Sequence, residues 1–273
     1  MTKKPPIRLP DRYIFSGRVL EGGQGTVYVC RDEHLVRDVA FKIMQDIDDI
    51  SRLLDEISAL QSIRSKHVVE IYDIIIEDKN KEVEVGIIEE FLPGDDLWDY
   101  YETGPSDNDI LQTLYQVASG INEIHNAGII HRDIKPNNMK FNIENLVKIY
   151  DFGLARKEGV SDDTIGFKGT HGFAAPELYA GGKLHFTKKI DVYAFGASAW
   201  LLMTGQHPPE LKKKPPVVLS TQIKKVRPTL PREVAEILDK TLNIDPDERP
   251  NMGNYVLERT RHRLHMDNQG VMP

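Results

Sequence analysis

"FLPGDDL", residues 91–97, is where the sequence changes its period. Pro93 and Gly94 interrupt any regular element, so the stretch reads as a connector. Upstream, "YIFSGRVLE" and "GTVYVCRD" are rich in β-formers and joined by a glycine-rich turn, which predicts a hairpin. "RDVAFKIM" predicts a third strand, and "HVVEIYDIIIE" and "KEVEVGIIEE" two more. Between them, Ile50, Leu53, Leu54, Ile57, Leu60 and Ile63 recur at helical spacing.

Downstream the pattern is helical. "DNDILQTLYQVASGINEIHNAG" has an Asp start and a Gly stop. "KKIDVYAFGASAWLLMTG" is apolar nearly all round, which predicts a buried central helix; Lys188, Lys189 and Asp191 at its start argue against a membrane span. "REVAEILDKTLN" and "NMGNYVLERTRHRL" predict further helices, and "PPELKKKPPVV" a proline-punctuated loop. The expected fold class is therefore α+β: a small β-rich lobe with one helix, a hinge, and a larger mainly helical lobe.

The composition suits a globular protein: 273 residues, 40% hydrophobic and 28% charged. A net charge of −7 argues against a general nucleic-acid or membrane-surface binder. The single cysteine, Cys30, forms no internal disulfide, which fits a reducing cytoplasm, and reads as a small residue of a strand. "MTKKPPIRLP" has no apolar signal core and reads as an extended lead-in.

Several short stretches carry chemistry. In "LEGGQGTV", Gly22, Gly23 and Gly25 let backbone amides approach phosphate oxygens, although glycines in a hairpin are commonly turn chemistry alone. "VAFK" ends at Lys42, and Glu56 lies in the following helix where it can pair with that lysine. In "HRDIKPNN", residues 131–138, Asp133 can orient a hydroxyl nucleophile and accept its proton. Lys135 can neutralise charge on a moving phosphoryl group, and Asn138 can offer an amide oxygen to a metal, with Asn137 its competitor. "YDFG" offers Asp151 as a hard oxygen ligand for magnesium. "GTHGFAAPE" ends at Glu177, for which Arg249 of "DERP" is a candidate ion-pair partner.

In this order and spacing, the set resembles the eukaryotic-type (Hanks-type) serine/threonine protein kinases, from about Tyr13 to Arg259. The resemblance implies a lead-in at 1–11, a kinase domain at 12–259 and a tail at 260–273. Within the domain, the N-lobe covers 12–89, the hinge 90–95 and the C-lobe 96–259. It implies ATP and Mg2+ as cofactors, with Mn2+ the alternative ion, and a protein substrate bearing serine or threonine. Leu20, Gly22, Gly25, Val27 and Ala40 then surround the nucleotide, and Lys42, held by Glu56, binds its phosphates. Glu90 and Leu92 offer backbone groups to the adenine, and Asp96 reaches the ribose. Asp133 and Lys135 act on the substrate hydroxyl with Thr170 bonded to both; Asn138 and Asp151 hold the metal; Asp191 supports the catalytic loop.

Two residues depart from the family pattern. Leu20 replaces the first loop glycine, and the residue before the hinge is either Glu89 or, with a one-residue shift, Ile88. The resemblance also implies that Arg132 receives a phosphate from the activation segment, with Ser161 or Thr164 as the candidate acceptor, by trans-autophosphorylation in a transient homodimer; the alternative is that both are solvated loop hydroxyls. Lys212–Lys214 with Lys224, Lys225 and Arg227 read as a solvated surface or, alternatively, a dock for an acidic partner. No nucleic acid or membrane partner is expected. The compact connections resemble bacterial members, either a stand-alone cytoplasmic kinase or a fragment of a larger protein. Competing readings are a nucleotide-binding pseudokinase and a small-molecule kinase; the segment ending in "AAPE" favours a protein substrate.

Overall fold

The computed structural model describes residues 4–22, 25–44, 50–79, 82–159, 161–162, 169–179, 184–207, 219–230 and 232–253. The chain forms two compact units, Met1–Ile63 with Val69–Pro93, and Arg64–Val68 with Gly94–Pro273. The predicted change of period at "FLPGDDL" thus coincides with a change of unit.

The first unit is a five-stranded antiparallel sheet, ordered β1-β2-β3-β5-β4, with one helix. Its strands are β1 (Tyr13–Gly22), β2 (Gly25–Asp32), β3 (Arg37–Ile43), β4 (Ile71–Lys79) and β5 (Glu82–Glu90). Helix α1 spans Ile50–Gln61 and buries Glu56, Ile57 and Leu60. β1 carries a bulge between Phe15 and Arg18, where Gly17 has φ 85° and Ser16 Oγ donates to the Val29 carbonyl at 2.7 Å.

Alternation along the strands separates two faces. Tyr28, Cys30, Val39, Phe41, Ile75 and Ile88 form a core on one of them. Ile7, from the lead-in, completes that core at 2% exposure, so the proline-rich start is part of the folded unit. Gly86 is required beneath it: a Cβ there would lie 2.3 Å from Cε2 of Phe41. Burial among these side chains pushes the Cys30 thiol up to about 11. At the strand ends Arg12 grips the fully buried Asp32 through two bonds of 2.8 and 2.7 Å, which holds that carboxyl well below the usual range.

The second unit is mainly helical. It contains α2 (Leu97–Glu102), α3 (Asp107–Asn126), α4 (Lys189–Thr204), α5 (Leu219–Val226) and α6 (Arg232–Thr241). Short ladders join β6 (Ile129–Ile130) to β9 (Arg156–Lys157), β7 (Met139–Phe141) to β8 (Val147–Ile149), and β10 (Ser161–Asp162) to β11 (Leu184–His185). Residues 64–68 join this unit through specific bonds: Ile149 N–H donates to the His67 carbonyl at 2.9 Å, and Val68 bridges Ile149.

Helix α3 starts differently from its expected Asp cap. Ser106 is the N-cap and forms a capping box with Asp109, which leaves Asp107 inside the first turn. Asp107 instead receives Arg227 Nη1 at 2.8 Å. Helix α4 is the predicted central helix, with every residue from Ile190 to Met203 buried. Gly196 lets α6 approach, since a Cβ there would meet Thr241 Oγ1 at 2.3 Å. Gly205 ends α4 in the left-handed conformation, its N–H donating to Leu201 O at 2.8 Å. Among the described residues no helix is long and apolar enough to cross a membrane. The loop expected at 208–218 and the last expected helix, beyond Gly253, lie outside the described residues, as do Gly23, Thr164 and Lys212–Lys214.

Candidate active site

Helix α3 ends at Asn126, and Gly128, at φ 72°, turns the chain into β6. The "HRDIKPNN" loop follows directly, anchored by one carboxylate. Asp191, on the first turn of α4 and fully buried, accepts the N–H of His131 at 2.8 Å and the N–H of Arg132 at 2.8 Å. His125 Nε2 lies 2.9 Å from the same carboxylate. Burial opposes ionisation of Asp191, but the His125 hydrogen bond, the two imidazoles and the backbone N–H together hold its pKa below the usual carboxylate value. The clamp fixes Arg132 in the left-handed region at φ 69°, a conformation that non-glycine residues adopt only when held.

His131 is wholly buried. Its Nδ1 accepts the Asp133 N–H at 3.3 Å, so the proton sits on Nε2, which faces the Tyr150 carbonyl at 3.1 Å. The His131 ring packs against Phe152, with centroids 4.7 Å apart. The loop and the stretch carrying Asp151 are thereby tied together, and Tyr150 N–H adds a bond to the Asn138 carbonyl at 3.0 Å.

Asp133 is the centre of the polar network. Its Oδ2 accepts from Lys135 Nζ at 2.7 Å and Asn138 Nδ2 at 2.9 Å. Its Oδ1 accepts from Thr170 Oγ1 at 2.8 Å. Lys135 Nζ also donates to Thr170 Oγ1 at 2.7 Å, which orients the hydroxyl proton toward Asp133. The "GTHGF" segment is thus locked to the loop 35 residues before it. The Asp133 side chain is 9% exposed, so the carboxylate that these bonds fix in one orientation is not closed off.

The amide of Asn138 directs both Nδ2 bonds at Asp133, to its carbonyl at 2.8 Å and to its carboxylate. That fixes the amide orientation and turns its oxygen the other way. Asn138 is fully buried, whereas Asn137 spends its amide on Asp96 at 3.1 Å, so the two asparagines have separate partners. Asp151 lies beyond Tyr150 at φ 67°. One carboxylate and one amide oxygen are hard ligands of the kind magnesium accepts while keeping several waters or phosphate oxygens. Among the described residues no three His, Cys, Asp or Glu gather into a metal site. Asp96 has a local task too: its Oδ1 caps α2 by accepting from Trp98 N at 2.9 Å and Asp99 N at 3.0 Å.

Glu177 and Arg249 form a two-pronged pair at 2.7 and 2.8 Å. The remaining Arg249 donors reach the carbonyls of Asn243, Lys189 and Ile244, so all five guanidinium N–H groups are used. The Arg132 guanidinium lies over the Phe186 ring, 3.7 Å from its centroid, and donates to the Leu154 carbonyl at 3.4 Å.

In the first unit, the register groups the remaining candidates. Val27 pairs with Leu20 on one side and Lys42 on the other; Ala40 pairs with Val29 and with Glu89. Leu20, Val27, Ala40, Lys42 and Glu89 therefore share a face. Ile88 pairs with Phe41 and belongs to the opposite core, so of the two candidates for the position before the expected hinge it is Glu89 that faces the Lys42 side. Gly22 pairs with Gly25 across the turn, and Gly25, at φ 114°, needs the conformational freedom of glycine. Glu90 ends β5 with its N–H on the Glu70 carbonyl at 2.8 Å, and Leu92 is buried.

Sequence reasoning alone missed His125 and the Asp96–Asn137 link. Their signals were a histidine in the last turn of α3 and an Asp preceding "LWD", both legible only as caps or solvated residues without their distant partners.

Comparison with known proteins yields one family model over nearly the whole chain: that of the protein kinase domain, matched at residues 13–259. Among curated relatives, a serine/threonine-protein kinase of Arabidopsis thaliana, STY46, is 28% identical, covering 89% of this chain and 43% of its own length. The drp72 serine/threonine-protein kinase of Corynebacterium efficiens is 30% identical over 97% of this chain and 52% of its own. Serine/threonine-protein kinase PrkC of Bacillus subtilis is 30% identical over 89% of this chain and 39% of its own. The chain thus spans about half, or less, of the length of these relatives.

Proposed function

Since the chain belongs to the protein kinase family, we propose that it transfers the γ-phosphoryl group of ATP to a serine or threonine hydroxyl of a protein. The observation that carries this reading is the Asp133 carboxylate held by Lys135, Thr170 and Asn138 at 2.7–2.9 Å. The relatives named for serine/threonine kinase activity support the acceptor class.

In this mechanism Asp133 aligns the acceptor hydroxyl and takes its proton as the oxygen attacks the γ-phosphorus. The bond from phosphorus to the bridging oxygen breaks, and ADP leaves. Little covalent chemistry falls to the protein, so positioning and neutralisation of charge dominate. Lys135 places its ammonium beside the reacting hydroxyl, and Lys42, braced by Glu56, holds the phosphates. Magnesium, or manganese in its place, would be held by Asn138 and Asp151 and would neutralise charge on the phosphate oxygens. Val27 and Ala40 cover the adenine, and Leu20, Gly22 and Gly25 the phosphates.

The reading extends to autophosphorylation in a transient homodimer, with Ser161 or Thr164 accepting and Arg132 receiving the phosphate. What supports that role is the place of Arg132 in the chain, directly before Asp133. A cytoplasmic location is proposed from the lone cysteine. The test is transfer of radiolabelled phosphate from Mg-ATP to the chain or a generic substrate, wild type against Asp133→Ala. Label in the wild type alone supports the reading. Equal label in both overturns the role of Asp133. No label and no nucleotide binding overturns the kinase reading.

A further inference from the structure

Lys42 shares a face of the sheet with an acidic residue, Glu89, at a position where the family pattern has an apolar or small polar one. On β3 and β5, Ala40 pairs with Glu89 and Lys42 with Ile87. Directly opposed residues share a face, so Glu89 lies diagonally across from Lys42. Such diagonal neighbours are about 7–8 Å apart, within reach of two long side chains. The positions around them on this face, Val27, Val29, Ala40, Val85 and Ile87, are apolar. Lys42 and Glu89 are both half-buried, so opposite charges on this face attract more strongly than a fully exposed pair would.

We propose that Glu89 is a positioning residue for Lys42, a carboxylate that engages the ammonium until phosphate displaces it. The inference rests on the reading that Lys42 binds nucleotide phosphates. Glu56, on α1, would brace the lysine in the productive state, and Glu89 competes with the nucleotide for it. Glu89 also presents a negative charge to the incoming triphosphate. Both effects weaken nucleotide binding and act on the phosphates, not on the base. Removing the charge at this separation tightens Mg-ATP binding by roughly three- to tenfold at an intermediate effective dielectric.

The experiment is calorimetric titration of wild type, Glu89→Gln, Glu89→Met and Glu89→Asp with Mg-ATP and, separately, with adenosine. Either neutral variant suffices if the other folds poorly. The expected result is tighter Mg-ATP binding in the neutral variants, an intermediate value in Glu89→Asp, which keeps the charge but shortens the reach, and unchanged adenosine affinity. In transfer assays the gain appears as a lower KM with a smaller change in kcat. Unchanged or weaker Mg-ATP binding in the neutral variants overturns the proposal, as does an equal shift for adenosine, which would place Glu89 on the base. If wild type binds neither ligand, the nucleotide reading itself fails, an outcome distinct from the other two.

Discussion

Asp191→Asn keeps the shape of a side chain that holds the "HRDIKPNN" loop from behind while removing its charge and one of its acceptor oxygens. In the wild type, among the described residues, Oδ2 accepts from His131 N–H and faces His125, while Oδ1 accepts from Arg132 N–H. The amide therefore settles with its oxygen toward His131 and His125 and its NH2 against the Arg132 N–H. One buried donor loses its partner, at about 1–3 kcal/mol, and the retained bonds lose their charge assistance, about 1 kcal/mol more for each. The sum is about 3–5 kcal/mol, which lowers Tm on the order of 10 °C for a chain of this size. Arg132 loses the bond that holds it at φ 69°, so Asp133, one residue on, shifts as well. A displacement near 1 Å costs about 100-fold in turnover. Differential scanning fluorimetry, phosphate transfer and amide hydrogen exchange measure the three effects, with faster exchange at Arg132 than at His131 as the specific mark. The depressed pKa of Asp191 adds a pH signature. Its contribution to stability is fully present above the ordinary carboxyl value of 3.8 and fades as pH falls through the lower folded value. The variant lacks that acid-side loss. A variant that melts within about 1 °C of wild type and transfers phosphate normally would refute the clamp.

Other outcomes follow from the same geometry. Asp133→Ala lowers transfer by about 10²–10⁴-fold, and circular dichroism shows the protein still folded. Arg249→Met strands the Glu177 carboxylate and three carbonyls; chemical denaturation should register a loss of about 3–5 kcal/mol, and Arg249→Lys recovers only part, because an ammonium cannot supply five planar donors. Gly86→Ala forces a Cβ into the Phe41 ring and lowers Tm by several degrees, an effect absent for alanine at Gly104, where nothing lies within 4 Å, apart from the strain of its positive φ. Cys30, buried and pushed up to about 11, should resist a thiol reagent at pH 8 in the native protein and react once denaturant is added.

The sequence exposes what is local and periodic. The strand alternation around "VAFK", the helical spacing from Ile50 to Leu60 and the apolar run of α4 all appear at the expected places, because each element buries a face its own residues define. Caps are less visible: the box at Ser106 uses Asp109 where Glu or Gln is usual, and Asp107 looked like the start. Helix α5 does carry Leu219, Ile223 and Val226 at helical spacing, but over 8 residues the repeat is too short to stand out beside the proline-rich stretch before it. In "GIIEE" two Ile precede two Glu, so no alternation says which faces which way; only pairing with β3 places Ile88 in the core and Glu89 opposite. The Asp191 bonds to His125 and His131 span 66 and 60 residues, and no local pattern reports such a separation. The chemistry-bearing residues of the loop were legible as types, whereas their joint hold on one carboxylate required the fold.

Ile7 also bears on how the first unit can be excised or fused. The family match begins at Tyr13, yet the core between Phe41 and Gly86 is completed six residues earlier, by a side chain 2% exposed. A protein trimmed to the family boundary would open a cavity over Phe41, and losing a buried isoleucine costs about 2–5 kcal/mol. For engineering, the minimal transplantable piece therefore starts upstream of Ile7, and a tag or partner domain is best joined at Lys4, which is exposed.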